Sequence, residues 1–443
     1  MLAGAVLLMR KPQRELHTPA KVTGQSGCHL QRALRPGSLL CYDACNSMKA
    51  PKQNRRRFLA LGAGLAGLSA CKKTVTREIG AGVRAYGERS PLEKASRDVR
   101  ESITPGTGST RTPLQDLDGI ITPSSLHFER HHAGVPSIDR AKHEILLHGL
   151  VEQPMVFTMD DLRRFPSVSR IHFIECSGNG GSELAGSPQP DPQKAAGLMS
   201  CSEWTGVPLS TLLKAARLKP EAKWVVAEGA DACLMARSIP IEKALDDILV
   251  AYGQNGEPIR PEQGYPVRLV VPGWEGNINV KWLHRLHVLD QPAMTRDETA
   301  HYTDLMPDGK AQMFTFVMEA KSIITRPAGG QKLAYGPGSY EVTGVAWSGK
   351  GKIQRVEISA DNGQTWTDAE LQAPVLSKAV TRFRLPWQWT GKAAALQSRC
   401  TDETGYTQPT LEALNLVRGY RSTYHCNAIK TWYVKENGGV THA

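Results

Sequence analysis

Two textures follow one another along this chain. Segments such as "KHEILLHGLV" (Lys142 to Val151) and "SRIHFIEC" (Ser169 to Cys176) are short, apolar and bounded by polar residues, as strands are. Between them "FTMDDLRRF" reads as a helix with Thr158 at its N-cap, where a side-chain oxygen accepts from a free backbone N–H. "VPLSTLLKAARL" then brings Leu209, Leu212, Leu213 and Ala216 to one face at helical spacing. "KWVVAEGAD", "YPVRLVVPG" and "VKWLHRLHVLD" return to the strand pattern. Residues 113–310 are therefore expected to form one α+β domain. Beyond "RDETAHYTDLMPDGK" the helical spacing disappears. "SYEVTGVAWSG", "IQRVEISADNGQTW", "TRFRLPW", "ALQSRCTDETG" and "YHCNAIKTWYV" are short strands with turn signals between them, which predicts an immunoglobulin-like β-sandwich over 311–443.

Composition changes this picture little. The chain has 443 residues, 40% hydrophobic and 22% charged, an ordinary globular make-up with enough length for two cores. The net charge of +11 suggests a polyanion partner until it is located. Residues 1–80 hold 14 Lys and Arg against three acids, and the remainder is balanced at 40 of each. A nucleic-acid-binding body is excluded on that ground. The basic head has its own reading. "NRRRFLALGAGLAGLSAC" sets Arg55 and Arg56 before an apolar run too short to span a bilayer and suited to an export signal. It resembles a twin-arginine leader, which predicts a periplasmic protein that folds before export. Residues 48–75 are assigned to this signal, 1–47 to an upstream extension and 76–112, with "ITPGTGSTRTP", to a lead-in. The alternative is a lipid anchor at Cys71 in "LSAC".

Five cysteines lie beyond the head: Cys176, Cys201, Cys233, Cys400 and Cys426. The sequence contains no C-x-x-C, which removes zinc-ribbon and thioredoxin sites, and no C-x-x-C-H for a covalently attached haem. Cys176 raises the sharpest question, because it ends a strand and opens into glycines in "HFIECSGNGG". A cysteine is most often a compact buried hydrophobe. The glycines allow positive φ and close backbone approach, so a ligand or a nucleophile also fits these residues.

"HFERHHAGVP", "FIECSGNG", "WTGVPL", "QGYPVRLVVPG", "NVKWL" and "SADNGQTW" occur in the order and at about the spacings that resemble the sulfite oxidase family of molybdenum enzymes. The resemblance covers residues of roughly 110 to 435, and "ECSGNGG" with "HYTDLMPDGK" is similar to the molybdenum subunit of sulfane dehydrogenases within it. It implies a mixed α/β molybdopterin-binding domain followed by a dimerisation sandwich, and molybdenum-molybdopterin as the cofactor. By the same resemblance Cys176 is the metal ligand, a soft thiolate suited to such a metal. Arg130, His132, Asp231, Gln263, Arg268, Asn279, Val280 and Lys281 would hold the pterin and its phosphate, with Gln263 standing where many relatives have histidine.

Arg130 and Arg418 match arginines that bind the substrate oxyanion, with Trp204 and Tyr302 beside them. Gly181 stands where relatives carry another arginine, which suggests a roomier and less cationic pocket. The activity so implied is oxygen insertion into sulfane sulfur on a thiol carrier protein, with electrons passed to a separate c-type cytochrome. Sulfite dehydrogenation and sulfoxide reduction are alternatives with the same cofactor, and an exported binding or adhesion module is the non-enzymatic one. A homodimer, or a heterotetramer with cytochrome subunits, is the expected assembly.

Overall fold

The structure is a computed structural model that describes residues 79–420 and 422–442. The export signal, the upstream extension and Cys71 lie outside the described residues. Two five-stranded sheets and a three-stranded one form the first domain; the small sheet pairs Asp98–Glu101 with Gly108–Arg111 and that strand with Arg130–His131, so part of the expected lead-in over 76–112 is folded into the domain. In one five-stranded sheet, Val168–Glu175 pairs with Met199–Pro208, which pairs with Leu249–Gln254; that strand in turn carries Glu257–Pro258 and Arg268–Val270. In the other the order is Met155–Thr158, Glu144–Gly149, Leu283–Leu289, Trp224–Gly229, Ala236–Pro240. Glu144–Gly149 and Leu283–Leu289 run parallel, and the remaining pairs in that sheet are antiparallel.

The helices follow from local chemistry. Met159–Arg164 starts with a capping box: Thr158 Oγ1 accepts from Asp161 N at 3.1 Å, and the Asp161 carboxylate accepts from Thr158 N at 3.1 Å. Leu209–Ala216 buries Leu209, Leu212, Leu213 and Ala216 completely, as their spacing predicts. Each of the three leucines contributes about 1.5–3 kcal/mol by leaving water.

The second domain packs a four-stranded sheet, Lys321–Arg326, Gly338–Trp347, Thr381–Trp389 and Glu370–Gln372, on a five-stranded one built from Thr367–Asp368, Ile353–Ser359, Ala394–Asp402, Thr431–Val434 and Val440–His442. Two elements differ from expectation. Leu411–Arg418 is a helix that periodicity did not reveal, because its inner face is Leu414, Asn415 and Arg418 while Leu416 and Val417 are exposed. "YHCNAIKTWYV" is a strand only from Thr431, since His425 has φ +58° and its N–H donates to Ser177 O at 2.8 Å. This stretch crosses onto the first domain.

One buried cluster runs across the domain boundary, joining Phe173, Met199 and Cys201 to Ile323, Trp347 and Trp432. At its centre Glu175, 1% exposed, accepts from Trp347 Nε1 at 2.6 Å, from Lys321 Nζ at 3.3 Å and from Asn179 Nδ2 at 2.8 Å. Lys321 and Trp347 come from the sandwich, so a carboxylate from the first domain is satisfied by the second. Removing the charge of a buried pair strands its partner and costs about 3–5 kcal/mol. Glu175→Gln is therefore expected to lower unfolding stability in denaturant by that amount, whereas Glu144→Gln, on an exposed position, should change it by less than about 0.5 kcal/mol.

Candidate active site

Strand ends and turns of the first domain converge on a cleft that, with its open mouth, spans about 690 Å³. Arg130 and His131 form a two-residue strand beside Gly108–Arg111, and His132 follows it. Cys176 leaves the end of Val168–Glu175, anchored by its N–H to Leu198 O at 2.9 Å. Asp231 follows Trp224–Gly229, Gln263 ends the 3₁₀ turn Pro261–Gln263, and Asn279 to Lys281 link the turn Gly276–Ile278 to Leu283–Leu289. Gly276 is needed here: a Cβ on it would stand 2.9 Å from Glu175 O and 3.2 Å from Cys176 Cα. Tyr302 enters three residues after the helix Arg296–Thr299, with φ +48°.

The cleft is built for an anion. Arg268 is 3% exposed and donates to the carbonyls of Gln263 and Asn279, both at 2.9 Å. No carboxylate among the described residues pairs with it, and burial pulls its pKa down to about 9. Lys281 donates to Arg130 O, Glu262 O and His131 Nδ1, and burial, then Arg268, draw its pKa down to about 7. His127 Nε2 is buried in the cleft wall without a hydrogen bond among the described residues. Buried cations without a counter-charge are costly unless an anionic group completes them, and a pterin phosphate has that chemistry; the neutral His127, whose Nδ1 donates to Phe128 O at 3.1 Å, offers its Nε2 as an acceptor for a pterin N–H. Burial raises the pKa of the Cys176 thiol, with the Gly178 backbone hydrogen bond and then Arg130 opposing that rise; a bound metal would reverse the balance and hold a thiolate. Among the described residues no three His, Cys, Asp or Glu side chains converge. A metal bound at Cys176 must therefore take its other ligands from a cofactor, and the residues present fit molybdopterin.

Ten of the twelve residues singled out in the sequence line this cleft: Arg130, His132, Cys176, Asp231, Gln263, Arg268, Asn279, Val280, Lys281 and Tyr302. Their tasks differ. Gln263 donates to Phe128 O at 2.8 Å and lies beside Arg268. Asn279 spends its side chain on its own loop, accepting from Val271 N and donating to Glu275 O. The Tyr302 hydroxyl meets His132 Nε2 at 3.0 Å.

Trp204 and Arg418 are not brought into the cleft. Strand alternation turns Trp204 inward, where it is fully buried with the Arg268 guanidinium 5.0 Å over its ring; it backs the cation from behind. Arg418 lies outside the cleft lining and is paired there with Glu319 at 3.1 Å and Asp304 at 3.7 Å. The glycine loop also differs from expectation. Gly180, at φ +94°, would meet Cys426 Cβ at 3.0 Å, and a Cβ on Gly181 would meet Thr423 O at 2.9 Å. These glycines admit the crossing segment of the second domain, and the space at Gly181 is filled by backbone. Sequence reasoning passed over His127, His131, Met235, Asn277 and Trp282, which also line the cleft. The motif "HFERHHAGVP" contained the first two.

Comparison with known proteins agrees with this chemistry. Residues 132–296 match the oxidoreductase molybdopterin binding domain and 312–432 the Mo-co oxidoreductase dimerisation domain. The chain is similar to an NADH nitrate reductase of Ulva prolifera, 30% identical over 66% of this chain and 38% of that one. It is similar to the mitochondrial sulfite oxidase of Mus musculus, 31% identical over 58% of this chain and 50% of that one. It thus spans half or less of the length of these curated relatives. The crystal structure of the sulfane dehydrogenase SoxCD from Paracoccus pantotrophus superposes with a TM-score of 0.80 at 46% identity, covering 83% of this chain and 95% of that one.

Two substitutions test the geometry. Loss of an outer-shell partner typically costs ten- to a hundredfold in a metal enzyme. Cys176→Ser removes the ligand itself and should therefore lower turnover by roughly a hundredfold or more while pterin is retained in the folded protein; near-normal turnover would exclude Cys176 as ligand. Gly181→Arg should lower the melting temperature and the molybdenum content together, because its Cβ meets the Thr423 carbonyl. A stable, fully metallated variant would show that the crossing segment yields there.

Proposed function

The chain belongs to the sulfite oxidase family of molybdopterin oxidoreductases, and from that premise we propose that it oxidises sulfane sulfur carried on a protein thiol and passes the electrons to a c-type cytochrome. The observation that carries this reading is the likeness, at 46% identity over 95% of its length, to a protein named as a sulfane dehydrogenase. The cleft is consistent with it. Arg418 is bound elsewhere, so Arg130 is the cation acting most strongly at Cys176. A site with few free guanidinium groups suits a thiol-linked sulfur better than a free dianion.

When bound, the molybdenum cofactor supplies oxygen-atom transfer coupled to a two-electron redox change. The protein's part is placement. Cys176 would hold the metal, while Arg268 and Lys281 would neutralise the phosphate. Arg130, steadied on Gly108 O, faces the charge that develops on the sulfur oxygens. Burial draws the His132 pKa down to about 4, so its imidazole is neutral at pH 7. Burial, and then Cys176, push the Tyr302 phenol well above its ordinary value. This neutral pair orients water or the sulfur group by hydrogen bonding. Each oxygen inserted comes from one water and releases two protons and two electrons, which two one-electron steps deliver to the cytochrome.

Export to the periplasm by the twin-arginine route is proposed from Arg55, Arg56 and the apolar run that follows them. The absence of C-x-x-C-H supports a haem on another chain, and the match to a dimerisation domain supports a pair of these chains, alone or joined by cytochrome subunits. Free sulfite is the second reading, favoured by the likeness to mouse sulfite oxidase.

Purified periplasmic enzyme is expected to contain one molybdenum per chain and to show kcat/KM at least about tenfold higher for a thiosulfate-charged thiol carrier than for sulfite, a difference of about 1.4 kcal/mol in transition-state binding. The reverse ratio would establish sulfite as the substrate. Replacing Arg55 and Arg56 by lysine should leave the protein in the cytoplasm.

A further inference from the structure

Beside the cleft lies a buried charged group with no part in the mechanism above. Arg237, in the strand Ala236–Pro240, is 1% exposed, yet its guanidinium sits between two buried carboxylates. Nη1 is 4.0 Å from Glu275 Oε2, and Nε is 3.7 Å from Glu298 Oε1. Nη1 donates to Asn277 Oδ1, and Cζ lies 5.1 Å from the centroid of the Tyr302 ring. The Nε atom has no hydrogen-bond partner among the described residues, so the group is held by field and by ring contact as much as by bonds. A cation and two acids are costly to bury for packing alone.

We propose that Arg237 is a positioning residue that fixes Tyr302 and the turn after Cys176 relative to one another. On one side it faces the Tyr302 ring, a cation–π contact that strengthens where water is excluded. On the other it holds Asn277, whose Nδ2 reaches Ser177 Oγ at 3.3 Å and Glu275 Oε2 at 2.6 Å. Ser177 is the neighbour of Cys176, so one guanidinium ties together two walls of the reaction site. Tyr302 needs such a support. It is a non-glycine residue at φ +48°, a conformation that persists only where surrounding contacts over-determine it. Its other neighbours are the half-buried His132, which bonds its hydroxyl, and Tyr424, 5.6 Å away in the crossing segment; neither carries a charge that faces its ring. Glu298 adds a second link, because it completes the capping box of the helix that delivers Tyr302 and also faces Arg237.

The inference rests on the assignment of Tyr302 to the oxygen-transfer site, and its test has an arm free of that assignment. 3-Fluorotyrosine is placed at position 302 of the full chain and its ¹⁹F signal recorded in cofactor-free protein. Arg237→Gln should shift or broaden the signal, and Arg237→Lys should bring it part of the way back. An unchanged signal in a folded variant overturns the proposal whatever the substrate proves to be. Arg237→Met with Glu298→Gln removes one charge of each sign and keeps the capping box, and it is held to the same criterion should the single variant not fold. In the metallated enzyme, a displacement of about 1 Å can cost up to a hundredfold in rate. Arg237→Gln is therefore expected to lower kcat by roughly ten- to a hundredfold with KM changed by less than about threefold. That loss should largely vanish in a Tyr302→Phe background, as coupled sites behave. Additive losses in the cycle would show that Arg237 acts on the fold at large and overturn the proposal. If wild-type enzyme oxidises neither carrier sulfane nor sulfite, the proposed function fails while the ¹⁹F arm still decides the role of Arg237.

Discussion

Everything at the active cleft hangs on the carboxylate of Glu175. It stands one residue before Cys176, the cysteine proposed to hold the metal, and it is satisfied by Lys321, Trp347 and Asn179. Two of those partners belong to the β-sandwich. A buried carboxylate without them would be several kcal/mol less stable, so the first domain is complete only when the second is docked. The same docking brings the stretch Thr423 to Cys426 over the loop after Cys176, where His425 N–H bonds Ser177 O and the glycines leave room for it. A domain whose name concerns dimerisation thus also forms the roof of the ligand loop.

The opposite wall follows a different rule. Arg268 and Lys281 are cations with no ion-pair partner among the described residues, and His127 Nε2 is a buried nitrogen with no bond there. In a protein with nothing to bind, such groups would be replaced by apolar ones of similar volume at little cost. Here Trp204 supports the Arg268 guanidinium from below and Gln263 from the side. Cations held in this way would meet a phosphate without rearrangement, and preorganisation of this kind limits the entropy lost on binding.

Tyr302 stands between the two walls. Its hydroxyl reaches the His132 side of the cleft while its ring rests on a guanidinium buried among acids. Glu275 is held below the ordinary carboxylate range although burial alone would raise it, because His425, Arg237 and Asn277 all favour its charge. The acid that steadies Arg237 is therefore itself steadied by the crossing segment, and the walls are linked through one interior network.

How much of this could be read from the chain depends on the range of the interaction concerned. Local patterns were legible. The Thr158 cap, the apolar face of Leu209–Ala216, most strands of the sandwich and the motif around Cys176 are set by residues a few positions apart. Collinear motifs likewise identified the family, and ten of the twelve residues they singled out line the cleft. What tertiary structure decided was every question of which way a side chain turns and whether it is already engaged. Trp204 faces the interior, Arg418 is taken by Asp304 and Glu319, and the place of Gly181 is filled by Thr423. The helix Leu411–Arg418 escaped notice because its inward face carries Asn415 and Arg418, whose partners are remote in sequence. Arg237 lies 65 positions from Tyr302 and carries no motif. Burial and charge pairing are properties of residues distant along the chain, so the sequence by itself determined the elements and the chemistry on offer, and only folding decided which groups were free to use it.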